Sequence, residues 1–227
     1  MITDSLYLLS EYKDGPIIIL ISSAEMEDTI DKLNNAIKST TDHGYSLWVY
    51  TVSNWDSMLT PWQYTDPQNS RIFEGKGEEL LKKLECEIVN KIDYNLIYKN
   101  RDKYLIGYSL AGLFSLWSIY ESKIFNGCAS VSGSLWYPGW GDYIEKNVIE
   151  QKNNVYISLG KKEANSRNNL MKNVLTATEK QYELLKKDTN VSSVKYVLNE
   201  GGHFSNIEDR IVDGINWLIN ANISGME

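Results

Sequence analysis

A serine stands in a turn of small residues near the middle of the chain. The segment Gly107-Tyr108-Ser109-Leu110-Ala111 ends an apolar stretch, Tyr104–Tyr108, and runs directly into a helical pattern that continues through Tyr120. This arrangement is typical of a nucleophile elbow, G-x-S-x-G, in which a sharp strand-to-helix turn exposes the serine hydroxyl. Ala111 replaces the last glycine but is still small enough for strand and helix to approach closely. Ser109 is therefore the candidate nucleophile, and a packing turn with an incidental serine is the alternative.

A serine hydroxyl needs a general base, which is usually histidine. The sequence holds two histidines. His43 precedes the serine and lies in Asp42-His43-Gly44, where a predicted helix ends. His203 follows the last predicted strand, where hydrolases with this serine turn carry their base. We therefore predict that His203 is the base, against the alternative of a histidine that only caps a helix or packs a loop.

The acid that orients the base is expected between Ser109 and His203, after the intervening strand Val155–Leu159. Glu163 follows that strand in Gly160-Lys161-Lys162-Glu163. It would hold the imidazole of His203 in the correct tautomer and stabilise the imidazolium. The alternatives are a solvated Glu163 paired with its neighbouring lysines, Glu200 or Asp209 as the acid, and a Ser–His pair without a carboxylate.

Two backbone N–H groups are expected to stabilise the negative charge that develops on the substrate oxygen. One is the amide of Leu110, directly after the nucleophile. The second is expected after strand Ile17–Ile21, from Ser22, Ser23 or Ala24. Ser23 is the named candidate, and the choice among the three stays open.

Aromatic side chains cluster on loops expected at the carboxyl edge of the sheet. Trp55 and Trp136 are predicted to contact the substrate, because aromatic residues there could form a pocket for an acyl, aryl or sugar group. The alternative is that these loop aromatics only pack the loops onto the core. The others are Trp62, Tyr64, Tyr137 and Trp140.

The elements that would position these residues alternate between strand and helix. Strands are predicted at Leu6–Tyr12, Ile17–Ile21, Leu47–Val52, Tyr104–Tyr108, Gly127–Val131, Val155–Leu159 and Ser193–Leu198. Helices are predicted at Met26–Ser39, Glu78–Ile92, after Ser109, at Asn168–Lys187 and at Asn206–Ala221, with Ser53–Lys76 as a long loop. Strands separated by helices predict an α/β fold with a mostly parallel sheet covered on both faces and no large lid domain. A chain of 227 residues fits one domain, residues 1–227.

Composition narrows the partners and the compartment. A net charge of −7 provides no basic surface for nucleic acid or anionic membranes. Cys86 and Cys128 are predicted to be buried free thiols. A separate prediction is a turn at Lys13-Asp14-Gly15, near the start of the chain. No signal peptide or membrane span is evident, and a cytoplasmic location is expected.

Five motifs follow one another along the chain, namely Phe73-Glu74-Gly75-Lys76-Gly77, the serine turn, Val131-Ser132-Gly133-Ser134-Leu135-Trp136, Gly160-x-x-Glu163 and Gly202-His203. As an ordered set they resemble the putative-esterase family of α/β-hydrolases that includes enterochelin esterases and esterase D. The resemblance covers roughly residues 16–218. It implies ester hydrolysis without metal or cofactor, with Ser109, Glu163 and His203 as the catalytic triad. Ser53–Pro61 lacks the arginine that siderophore esterases place near an anionic substrate, which argues against an enterochelin-type substrate.

The sequence thus predicts a serine esterase that works through an acyl-enzyme on a small-molecule ester. One alternative is an acyltransferase that uses the same nucleophile. Another is a noncatalytic binding protein on a hydrolase scaffold, although such scaffolds usually lose the serine or the histidine. The oligomeric state does not follow from the sequence.

Overall fold

The computed structural model describes residues 4–12, 14–23, 27–68 and 70–224. Within these ranges the strands are β1 Ser5–Ser10, β2 Ile17–Ser22, β3 Ser46–Thr51, β4 Gln63–Thr65, β5 Ile72–Glu74, β6 Lys103–Tyr108, β7 Gly127–Val131, β8 Asn153–Gly160 and β9 Val191–Asn199. The helices are α1 Glu27–Thr40, α2 Trp55–Met58, α3 Gly77–Ile88, α4 Leu110–Glu121, α5 Trp140–Lys146, α6 Val174–Leu185 and α7 Ile207–Ser224. A π-helical turn, Val89–Asp93, extends α3, and 3₁₀ turns lie at Glu163–Asn165 and Met171–Asn173.

Seven of the described strands form one sheet in the order β1-β3-β2-β6-β7-β8-β9. β1 pairs antiparallel with β3, and every other neighbouring pair in this sheet is parallel. The predicted α/β fold with a mostly parallel sheet is confirmed, and the described residues include no large lid domain. The seven predicted strands are all present, with ends that differ by at most two residues.

The sequence of β2 explains why helices cover both faces of the sheet. Successive side chains of a strand point to opposite faces. Ile17, Ile19 and Ile21 accordingly pack into the core beneath α3, α4, α5 and α6. Ile18 and Leu20 pack into a second core beneath α1 and α7. An unbroken apolar run in a strand therefore reports burial on both sides.

The segment predicted as a long loop, Ser53–Lys76, instead contains α2 and the antiparallel hairpin β4–β5. The prediction was wrong because these elements have only three or four residues each, too few to show a period of 2 or 3.6. The side chain of Asn54 accepts a hydrogen bond from the amide of Ser57 and begins α2. This crossover between β3 and β6 lies over the carboxyl edge of the sheet, because β3 runs parallel to β2.

The two cysteines have different surroundings. Cys128 is a buried free thiol, as predicted, whereas Cys86 is exposed and that part of the prediction is wrong. The buried side of α3 carries Leu80, Leu84 and Ile88, and Cys86 lies on the opposite side of this helix. Lys13 and Met26, which belong to a predicted turn and a predicted helix, lie outside the described residues. None of the described helices is long and apolar enough to cross a membrane.

Ile19→Ala should destabilise the fold by about 2–5 kcal/mol, because it removes most of a fully buried side chain of β2 and leaves a cavity in its place. Leu96→Ala is the matched control, since Leu96 is 84% exposed, and it should change stability by less than about 0.5 kcal/mol. Urea unfolding followed by tryptophan fluorescence measures both. Equal effects of the two substitutions would contradict the burial of Ile19 in the core on its face of β2.

Candidate active site

Ser109 lies between the last residue of β6 and the first residue of α4. Its backbone has φ 61° and ψ −121°, in a region that residues other than glycine rarely adopt. Two hydrogen bonds hold this conformation. The amide of Ser109 donates to the carbonyl of Val131 at 3.0 Å, and its carbonyl accepts from the amide of Ser134 at 3.0 Å. The turn after β7 thus fixes the turn after β6.

Two glycines explain how the chain can turn so sharply at Ser109. A methyl group on Gly107 would lie 2.0 Å from the carbonyl oxygen of Ala111, so strand and helix could not approach. A methyl group on Gly112 would lie 2.9 Å from Cα of Gly133 in the neighbouring turn. Ala111 itself is fully buried and fits. Gly107 and Gly112 provide the close contacts, and alanine is accommodated between them.

The structure brings Ser109, His203 and Glu163 into one line of hydrogen bonds. Nε2 of His203 lies 3.0 Å from Oγ of Ser109. Nδ1 of the same ring lies 2.8 Å from Oε2 of Glu163. This follows from the topology, because β6, β8 and β9 are parallel and the three residues follow their carboxyl ends. The side chain of His203 is 29% exposed and that of Glu163 only 4%, so the line runs from the cavity inward.

The second oxygen of Glu163 is held by other groups. Oε1 accepts from the amide of Gly160 at 2.7 Å and from the hydroxyl of Ser132 at 2.6 Å. Nη2 of Arg210, on α7, lies 3.3 Å from the same oxygen and also donates to Ser132. Burial raises the pKa of Glu163, but the hydrogen bonds from His203, Ser132 and Gly160 outweigh it and the pKa is lowered. Glu163 is therefore ionised at neutral pH.

Ser132 and Arg210 are not among the site residues predicted from the sequence. A signal for Arg210 does exist. Arg210, Gly214 and Leu218 share one stripe of α7, and all three are buried. A charged residue on the apolar stripe of an amphipathic helix indicates a buried partner. Ser132 belongs to the motif Val131-Ser132-Gly133-Ser134-Leu135-Trp136, which marks the turn after β7 but does not reveal that this hydroxyl contacts Glu163.

The loop that carries His203 is fixed by its neighbours. The phenol of Tyr108 donates a hydrogen bond to the carbonyl of His203, and the two rings lie 5.1 Å apart. Burial strongly raises the pKa of Tyr108, so its phenol stays a neutral donor. The amide of Lys162 donates to the carbonyl of Gly201 at 2.9 Å, which ties the His203 loop to the Glu163 loop.

The alternative residues lie elsewhere. His43 is exposed just before β3, at the amino edge of the sheet and opposite Ser109. Glu200 is paired with Lys161, and its side chain is 78% exposed. Asp209 is exposed in the first turn of α7. Of the acids considered, Glu163 is the one that contacts His203.

The two predicted oxyanion donors differ in their position. Leu110 lines the cavity beside Ser109, and its amide is the first N–H of α4, so the helix itself offers that amide no acceptor. Ser23 is partly buried after β2 but is not among the residues that line the cavity. Ala24, another candidate for the second donor, lies outside the described residues.

A cavity of about 560 Å³ opens above Ser109 and His203. Trp55 from α2 and Trp136 from the turn after β7 line it, as do Met171, Val174 and Phe204. The other loop aromatics do not line this cavity. Tyr137 and Trp140 are buried in the core, and Trp62 and Tyr64 pack against the core, so for these four the packing alternative describes their position.

Arg71 also lines the cavity, although Ser53–Pro61 contains no arginine. It precedes β5 and reaches the site from the hairpin that the sequence did not reveal. Its Nε lies 2.6 Å from Oδ2 of Asp56 and its Nη2 lies 2.5 Å from Oδ1. This two-pronged pair raises the pKa of Arg71 and places a carboxylate next to the guanidinium.

Comparisons with known proteins support the fold. No protein-family model matches the chain, and no curated protein matches its sequence. Among solved structures, siderophore hydrolase EstA from Aspergillus nidulans is similar, with a TM-score of 0.69 and 15% identity over 96% of this chain and 95% of that one. An IroE-like serine hydrolase from Shewanella oneidensis gives 0.72 and 16% over 96% and 80%. The BES protein from Bacillus cereus gives 0.68 and 15% over 96% and 97%. The expected resemblance to enterochelin-type esterases is confirmed at the level of the fold.

Glu163→Gln should lower the free energy of unfolding at pH 7 by about 3 kcal/mol, because it removes a buried carboxylate that accepts charged hydrogen bonds and leaves Arg210 unpaired. The pKa of Glu163 is lowered in the folded chain. The ionised carboxylate therefore contributes its full stabilisation at pH values above 4.5, the ordinary pKa of the group. That contribution is lost as the pH falls through the lower pKa of the folded chain. The difference between wild type and variant should narrow over that acid range in urea unfolding.

Glu200→Gln is the control for this prediction, because Glu200 forms an exposed ion pair. Its effect should stay below about 1 kcal/mol at any pH. A Glu163→Gln variant as stable as Glu200→Gln at pH 7 would contradict the buried, ionised state of Glu163.

Proposed function

We propose that the chain is a serine hydrolase that cleaves a carboxylic ester through an acyl-enzyme. Ser109 is the nucleophile, His203 the general base and Glu163 the acid that orients the base. The observation that carries the proposal is the line of hydrogen bonds from Ser109 through His203 to Glu163, at 3.0 and 2.8 Å, beneath a cavity of about 560 Å³. This is the arrangement that nucleophilic catalysis by serine requires.

In the first half of the reaction, Oγ of Ser109 attacks the ester carbonyl while Nε2 of His203 takes the hydroxyl proton. The tetrahedral intermediate collapses, and the same proton passes to the departing alcohol. In the second half, water attacks the acyl-enzyme, His203 takes a proton from that water, and Ser109 recovers it as the acid product leaves. Glu163 stays ionised throughout and stabilises the imidazolium, in line with its lowered pKa.

The amide of Leu110 is the proposed first donor to the oxyanion. It is the first N–H of α4, and partial positive charge collects at that end of the helix. The positive φ of Ser109 turns the chain so that the hydroxyl and the following amide can face the same cavity. The second donor is proposed to come from the chain after β2, with Ser23 as the candidate.

The substrate is proposed to be a small ester with an apolar or aromatic acyl group that lies against Trp55 and Trp136. The similar structures include siderophore hydrolases and an enterobactin esterase with 2,3-dihydroxy-N-benzoyl-serine. In this chain Asp56 pairs with Arg71 on the cavity wall and offsets its charge. We therefore infer that neutral esters are preferred to anionic ones. A cytoplasmic location stays a prediction.

The purified protein should release p-nitrophenol from a short-chain p-nitrophenyl ester with an initial burst, because acylation precedes hydrolysis. Ser109→Ala should abolish the burst and lower kcat by at least about 10⁴-fold. The same substitution should abolish labelling by a fluorophosphonate probe. Ser39→Ala, on the exposed side of α1, is the control and should keep both. A folded wild-type protein that neither turns over the ester nor takes the label would refute the proposal. An acyl group found on an added alcohol in place of free acid would assign acyl transfer instead.

Asp56→Asn should reduce the preference for neutral over carboxylate-bearing p-nitrophenyl esters by about threefold to tenfold, because the guanidinium of Arg71 loses its paired carboxylate. The ratio of the two kcat/KM values measures this preference. Glu74→Gln removes an exposed carboxylate paired with Lys76 on the same hairpin and should leave the ratio unchanged. An unchanged ratio in Asp56→Asn would exclude this pair as the source of the preference.

A further inference from the structure

Arg210 is one of the largest side chains that the fold buries, with only 2% of its surface exposed. It lies near the amino end of α7, where the next two residues, Ile211 and Val212, are buried as well. An arginine is almost never buried this completely without a specific partner. Its location therefore requires an explanation beyond the packing of α7.

The contacts of Arg210 converge on the carboxyl ends of three strands. Its Nε donates to Oδ1 of Asn199, the last residue of β9, at 3.1 Å. Its Nη2 donates to the hydroxyl of Ser132, which directly follows β7, and lies 3.3 Å from Oε1 of Glu163, beyond β8. Arg210 thus joins the ends of β7, β8 and β9, and the last two of these lead to Glu163 and His203.

Stability alone does not account for this arginine. Nη1 of Arg210 has no hydrogen-bond partner among the described residues, so part of its desolvation is uncompensated. Replacing a buried ion pair by apolar side chains is often neutral or even stabilising. Apolar residues at both position 210 and position 163 would avoid this desolvation, whereas an apolar residue at position 210 alone would leave the carboxylate of Glu163 without its cation. The contacts of the guanidinium, and not its packing, distinguish this position.

Those contacts divide the two oxygens of Glu163 between two tasks. Oε1 takes hydrogen bonds from Gly160, Ser132 and Arg210, whereas Oε2 faces Nδ1 of His203. With Oε1 held, rotation of the carboxylate away from the imidazole would break several bonds at once. Arg210 also supplies the positive charge that compensates Glu163 while the imidazole is neutral.

We propose that Arg210 is a positioning residue, which fixes the carboxylate of Glu163 so that one oxygen stays directed at His203 in both protonation states of the imidazole. This inference rests on the proposed function for its effect on activity. It does not depend on that function for its effect on the geometry of His203. Arg210 itself contacts neither Ser109 nor the cavity, so it acts through Glu163 and Ser132.

The variants that test this are Arg210→Met, which keeps the volume and removes the charge, and Arg210→Lys, which keeps the charge. Arg101→Gln is the matched control. Arg101 is a partly buried arginine, bonded to the carbonyls of Gly15, Asp14 and Tyr12 at the opposite edge of the sheet. The kinetic constants kcat and KM are measured with the p-nitrophenyl ester and corrected for the folded fraction.

Arg210→Met should lower kcat on the order of 10- to 100-fold with little change in KM, because the substrate does not contact residue 210. Arg210→Lys should recover part of the loss, and Arg101→Gln should keep the wild-type kcat. In the double variant with Glu163→Gln, the Arg210→Met loss should nearly vanish, because both substitutions disable the same contact. Losses that multiply, or an Arg210→Met variant that matches Arg101→Gln, would overturn the proposal.

A second measurement separates this inference from the proposed function. The proton on Nδ1 of His203, hydrogen-bonded to Glu163, should give a far-downfield ¹H NMR signal, assigned by its loss in His203→Ala. Arg210→Met should weaken or shift this signal, and Arg101→Gln should retain it. If the wild type has no esterase activity, the proposed function fails and this signal alone decides the role of Arg210. An identical signal in wild type and Arg210→Met would refute that role.

Discussion

The carboxylate of Glu163 is almost completely removed from water, and the arrangement around it depends on how that buried charge is compensated. Four parts of the chain meet there, namely the turns after β7 and β8, the loop after β9, and α7. An ionised group in such a place is tolerated only when donors surround it. The ends of parallel strands supply most of those donors at one edge of the sheet, and α7 supplies Arg210. The strand topology therefore determines how the charge of Glu163 is compensated.

Much of this architecture could be predicted from the sequence because it is encoded locally. The run Ile17–Ile21 is apolar without alternation, which reports burial on both faces, and the strand-to-helix turn at Ser109 has a short, recognisable pattern. His203 could be selected because only two histidines compete and one precedes the serine. In each case a few neighbouring residues carry the information, and the order of the motifs along the chain selects among the candidates.

The remainder depends on contacts between distant residues. Arg71 and Asp56 meet because β4 and β5 form a hairpin. These strands are too short to show the period of 2 by which a strand is recognised in a sequence. Arg210 reaches Glu163 across 47 positions, and its signal on α7 identifies a buried charge without naming the partner. Pairings between distant residues such as these follow from tertiary packing. Cys86 is different, because the spacing of Leu80, Leu84 and Ile88 along α3 already assigns it to the opposite, exposed side.

The crossover between β3 and β6 supplies one wall of the cavity, whereas the proposed reaction groups lie at the ends of the strands. The polar groups proposed to carry out the reaction follow the ends of the strands, where a shift of one residue would disturb the sheet. Trp55 and Arg71, by contrast, belong to a crossover whose length can change at a small entropic cost. Divergence during evolution can therefore remodel one wall of the cavity while the hydrogen-bonded line beneath it is conserved. The same scaffold can in this way acquire new substrates without reinventing its chemistry.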